Sequence, residues 1–183
     1  MPTRKIPSLE QLTKDSQELF EVLNCEKDLP VILVASSFLD ACLGAILACK
    51  FIKSTVTESL LNPRDGMLGN YSVRADVCYS LGLLPKRLYQ DLLKINEIRN
   101  AVAHHHHAMS FEEESIQKLC SELGYAASLK DGGTDALPGF ISRIKGARRQ
   151  FVVATVMISQ RLLQIGVALK PACRKAAEPE RRP

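Results

Sequence analysis

Residues 29–51, LPVILVASSFLDACLGAILACKF, are an almost unbroken apolar run, and a helix of this kind cannot lie on a protein surface. At helical spacing one side carries Val31, Val34, Phe38, Ala45, Cys49 and Ile52, and the other carries Leu33, Ser37, Asp40, Gly44, Leu47 and Phe51. A helix from about Leu29 to Ser54 therefore has no face meant for water. Its length would admit a membrane span, but Asp40 stands at its centre after two serines, which argues against hydrocarbon. The expectation is a central helix covered on all sides by other helices, with no membrane partner.

The rest of the chain supplies those helices. SLEQLTKDSQELFEVLNCE starts at Ser8 and repeats Leu9, Leu12, Leu19 and Val22, an amphipathic helix that ends before Pro30. LNPRDGMLGNYS, residues 61–72, is a connector rich in turn residues. Ser72 to Leu81 reads as a short helix closed by Gly82, and Pro85 opens the next. Ser110 with Glu113 is a candidate capping box for a helix to about Ala126, followed by the loop KDGGTDALPG. Ile141, Ile144, Arg148, Phe151, Thr155, Ile158, Leu162, Ile165 and Leu169 then mark the seam of a long last helix. Beyond Pro171 the chain is too polar and proline-rich to order itself. The expected fold is all-α: a single bundle of five to six helices over residues 1–171, with a long C-terminal helix and a disordered basic tail at 172–183.

Low aromatic content, 5% with no Trp, agrees with helix over sheet. The six cysteines form no Cys-x-x-Cys pair and the first residues lack the apolar core of a signal peptide, so reduced thiols in a cytoplasmic protein are expected.

The fourth helix of this reading raises the functional question. Its stripe runs Leu84, Leu88, Leu92, Ile95 and Val102, and the member missing between the last two falls on Arg99. A buried arginine needs an anionic partner. Asp40, also set among apolar residues, is the expected one, and an Asp40–Arg99 pair follows. Five positions on begin His104, His105, His106 and His107, all the histidines of the chain. On a continued helix His106 returns to the face of Arg99, whereas His104 joins it only if the helix loosens or two copies meet. No accompanying ligand cluster stands at metal-site spacing, so neither metal nor cofactor is expected. The bland reading is a solvated helix end, where partly charged imidazoles suit the negative pole.

Several of these residues carry a family resemblance. Leu68-Gly69-Asn70-Tyr71-Ser72, Arg74, Tyr79-Ser80-Leu81-Gly82-Leu83 and Arg99-Asn100-Ala101-Val102-Ala103-His104 occur in an order and spacing that resembles the mannitol operon repressor family over roughly residues 35–125. An acidic residue commonly follows the first histidine in that family, and here His105 stands there. The resemblance implies a repressor-like regulator of transcription that acts mainly through protein–protein contacts. A broader resemblance, to the HEPN helical superfamily, rests on its Arg-x4-6-His motif, which Arg99 meets with His104, His105 or His106. It implies a metal-independent endoribonuclease at a homodimer interface: Arg99 would hold phosphate, Asn100 would hydrogen-bond nearby, and His104 or His106 would move the proton. RNA is a partner only in that reading. A third alternative is an inert helical adaptor.

Charge is unevenly distributed. Residues 1–137 hold 14 Lys/Arg against 18 Asp/Glu, giving −4, and residues 138–183 hold 10 against 2, giving +8. Arg143, Lys145 and Arg149 in SRIKGARRQ make a candidate surface for an anion or a protein partner. Direct sequence-specific DNA binding is not expected, because no helix-turn-helix is visible and aromatics are sparse in this stretch.

Overall fold

The computed structural model describes residues 6–25, 27–104, 110–127 and 138–169. The tail expected at 172–183 and the histidines at 105–107 lie outside them. The described residues form eight α-helices and no strand: α1 Leu9–Leu23, α2 Asp28–Lys50, α3 Thr55–Leu60, α4 Tyr71–Ser80, α5 Lys86–His104, α6 Glu114–Ser121, α7 Gly124–Ala127 and α8 Gly146–Leu169. The chain is thus the all-α bundle with a long last helix that the pattern implies, with more and shorter helices than five to six.

α2 is the axis. It packs against α1, α4, α5 and α8, and buries Val31, Ile32, Ala35, Leu39, Cys42, Leu43, Ile46 and Leu47 among them. Apolarity on every side is what those four neighbours require. α2 and α8 are both long and apolar enough to cross a membrane by length and composition. In the bundle they lie against each other, and Phe151, Thr155, Ile158 and Leu162 of the α8 seam are buried.

Three boundaries differ from the pattern for identifiable reasons. α2 stops at Lys50, because Phe51 turns extended and the Ser54 hydroxyl accepts the Thr57 N–H at 3.2 Å to start the separate α3. Ser110 does cap a turn, its Oγ accepting from the Glu112 N–H at 3.2 Å, but the helix begins only at Glu114 and breaks before Gly124. There the buried carboxylate of Asp91, on α5, accepts the Gly124 and Tyr125 N–H groups at 2.9 and 2.8 Å and starts α7 afresh. Ile141 and Ile144 precede the last helix rather than belong to it: Gly139–Arg143 is a 3-10 turn, and Gly146 at φ 61° redirects the backbone into α8.

Gly82 takes φ 70° after α4, as its place behind the helix end requires. The sharp turn it permits lays α5 back along α4, and that hairpin shapes the site.

Candidate functional site

Asp40 has an arginine partner, and it is Arg74 rather than Arg99. Nη1 of Arg74 lies 2.9 Å from Oδ2 of Asp40, and the Arg74 side chain is 2% exposed. The guanidinium also donates through Nε to the Leu68 carbonyl at 2.8 Å, through Nη2 to the Leu61 carbonyl at 2.9 Å and through Nη1 to the Asp40 carbonyl at 3.3 Å. It therefore ties both ends of the 61–69 connector to the middle of α2. Gly44, one turn beyond Asp40, leaves the room: a Cβ there would stand 3.3 Å from Cζ and Nη1 of Arg74. The connector has no room for side chains at two positions, since a Cβ on Gly66 would lie 2.4 Å from the Leu60 carbonyl oxygen and one on Gly69 2.5 Å from that of Asn62. Asn70 closes it by accepting the Ser72 N–H at 3.1 Å as the cap of α4. Leu68-Gly69-Asn70-Tyr71-Ser72 and Arg74 are accordingly one folding device. The Tyr71 hydroxyl is buried beside it, and burial, reinforced by the charge of Asp40, pushes its pKa well above the usual range.

Arg99 is exposed, and its Nη1 donates to Oδ1 of its neighbour Asn100 at 2.9 Å. The expected Asp40–Arg99 pair is therefore absent. The apolar stripe does not pass through position 99: Ile98 is fully buried, so Ile95, Ile98 and Val102 continue the core at steps of three and four. A stripe read from Ile95 straight to Val102 overlooks this shorter step. His104 is the last residue of α5.

With Arg99 outside the core, the surface formed by α4 and α5 becomes the site of interest. Tyr79 and Tyr89 stack with ring centroids 4.4 Å apart and planes 9° from parallel. The Tyr89 hydroxyl donates to Oδ1 of Asp76 at 2.8 Å, and that bond, which holds the phenol's proton, raises its pKa. Tyr79 remains 38% exposed and Leu81, at the hairpin, 42%. From Tyr89 the half-buried residues Leu93, Asn96 and Asn100 follow at steps of four, three and four along one side of α5. The face thus runs from an aromatic pair at the hairpin to the Asn100–Arg99 hydrogen bond near the helix end. Two segments singled out in the sequence, Tyr79–Leu83 and Arg99–Asn100, meet on it. Tyr89 was not singled out, although it lies four residues before Leu93 on the flank of the core stripe. Such a face, aromatic at one end with amides along the rest, suits contact with a protein.

The basic segment divides between internal and exposed roles. Arg148 pairs with Asp28 at 3.2 Å and donates to the Cys25 carbonyl, while Asp28 also accepts the Phe111 N–H at 3.0 Å. Arg149 is half-buried and donates to the Ile141 carbonyl at 3.0 Å. Arg143 and Lys145 are exposed.

Comparison with known proteins bears on this arrangement in three ways. No curated protein sequence matches the chain. Among solved structures, the chain resembles a protein in the X-ray structure of the MtlR–HPr complex from Escherichia coli, with a TM-score of 0.64 at 20% identity, covering 82% of this chain and 98% of that one. At that identity the likeness is one of fold. The sequence profile described as MtlR, mannitol repressor, matches residues 16–162, nearly all of the bundle. The chain belongs to the mannitol repressor family.

Proposed function

We propose that this protein is a repressor-type regulator of transcription that works by docking a small protein partner on the α4–α5 face, rather than by inserting a helix into DNA. The observation that carries the reading is the stacked Tyr79–Tyr89 pair beside the exposed Leu81. Aromatic side chains fixed before binding lose little entropy when a partner arrives, and such residues dominate the energy of protein interfaces. The Escherichia coli structure that shares the fold is a complex with HPr, and a protein of that kind is the partner class we infer. Cys25, Cys42, Cys78 and Cys120 are free thiols, which suits the reducing cytoplasm where such a regulator would act.

Isothermal titration calorimetry with purified HPr tests the reading. Leu81→Asp and Tyr79→Ala should each weaken binding by about tenfold or more, as central interface residues do. Binding unchanged in both variants would place the partner elsewhere.

A second reading is favoured by the position of Arg99, whose guanidinium faces solvent with Asn100 beside it and could meet a phosphate. In that reading two copies join across the ends of α5 as a metal-independent ribonuclease. Cleavage of labelled RNA with chelator present, abolished by Arg99→Ala, is its signature; wild-type protein that leaves RNA intact excludes it.

A further inference from the structure

Residues 138–169 hold Arg143, Lys145, Arg148, Arg149 and Arg161 and no acidic residue. Four of these five stand in the first turn of α8 or just before it. Cations there do nothing for the helix, whose N-terminal pole is already positive. Arg148 and Arg149 are accounted for by Asp28 and the Cys25 and Ile141 carbonyls. Arg143 and Lys145 are exposed, and their side chains have no hydrogen-bond or ion-pair partner among the described residues.

α6 and the start of α8, which Lys145 directly precedes in the chain, bound a groove of about 820 Å³. Among the described residues, Lys118, Arg149, Gln117 and Gln150 stand in its walls with the carboxylate of Glu114, and Val153 adds an apolar contact. We propose that this groove docks an acidic, extended polypeptide segment of a protein partner. Carboxylates would meet Lys118 and the flanking Arg143 and Lys145, the two glutamine amides would hydrogen-bond the segment's main chain, and Val153 would take an apolar side chain. Single-stranded nucleic acid fits less well, because none of the described lining residues offers an aromatic ring for a base to stack on. The groove lies on α6 and α8, so this inference stands or falls separately from the α4–α5 face.

The probe is a fluorescein-labelled peptide in which Glu-Glu pairs alternate with Leu, followed by fluorescence anisotropy at physiological ionic strength. Binding should be saturable; Arg143→Glu with Lys145→Glu should weaken it about tenfold, while Arg64→Glu with Lys86→Glu, the same change in net charge at exposed residues elsewhere, should alter it by less than about twofold. Circular dichroism establishes that both double variants remain folded. Absence of peptide binding, or equal weakening by the two double variants, overturns the proposal. So does tighter binding of oligouridylate with the same sensitivity to Arg143→Glu and Lys145→Glu. A dimer that those two substitutions dissociate would make the occupant a second copy of the chain, and would likewise overturn it.

Discussion

Arg74→Ala removes the node that joins the 61–69 connector to the bundle. The side chain is almost wholly buried and makes four polar contacts, one to a carboxylate and three to carbonyls. Removing one member of a buried ion pair costs about 3–5 kcal/mol, chiefly because the other charge is left behind. Asp40 keeps a side-chain exposure of 28%, so water relieves part of that penalty and favours the lower end for the pair alone. The orphaned carbonyls act in the opposite direction, at about 1 kcal/mol for each that water cannot reach. A loss of about 4 kcal/mol is therefore expected, which at a urea dependence of about 2 kcal/mol/M moves the unfolding midpoint by about 2 M. Arg99→Ala provides the contrast: an exposed residue whose side chain bonds, among the described residues, to its neighbour alone should change stability by less than about 0.5 kcal/mol. Urea titration followed by circular dichroism measures both. A double-mutant cycle with Asp40→Asn then isolates the pair, because Asp40→Asn should cost much less once Arg74 is gone. The reasoning fails if Arg99→Ala destabilises as much as Arg74→Ala, or if Asp40→Asn costs the same in both backgrounds.

Gly66→Ala and Gly69→Ala should each destabilise by more than about 1 kcal/mol, since the new methyl would meet backbone oxygens at 2.4 and 2.5 Å; thermal melts that match wild type would show that the connector yields. Burial raises the thiol pKa of Cys78 and of Cys120 from 9.0 to about 12, and that of Cys42 higher still. The folded chain thus holds these protons more tightly than the unfolded chain, and the stability they contribute is complete below pH 9 and lost as the pH rises toward 12. Urea midpoints should fall across that window and fall less in Cys78→Ala with Cys120→Ala; parallel pH curves would refute it. Asp91→Ala should release the start of α7, visible as faster amide exchange at Gly124 and Tyr125, while unchanged exchange there would assign the cap to other groups.

The sequence revealed most where one residue meets a local requirement. Ser8 caps α1, Gly82 follows α4 with positive φ, and α2 is central because an all-apolar helix has no other stable place. It was least informative where two distant segments share an interaction. Asp40 can be read from the sequence as the carboxylate that a buried arginine needs, but that the arginine is Arg74 and not Arg99 depends on how α4 crosses α2, which helical period cannot supply. One local clue did exist: Gly44 falls one turn after Asp40 on the same side of α2, and a missing side chain beside a buried carboxylate leaves space for a guanidinium. α4 follows a connector whose two glycines press against backbone, and so its first turn is held close to that space. Placing Arg74 in the core also changes the meaning of Arg99. A buried Arg99 would have been accounted for by packing, whereas an exposed Arg99, joined to Asn100 at the end of a stripe that begins with two stacked tyrosines, contributes little to the fold. Residues that fold the connector and residues that face outward are thus interleaved in one stretch of chain, and it is the outward set, Tyr79, Leu81, Asn100 and Arg99, that a partner can reach.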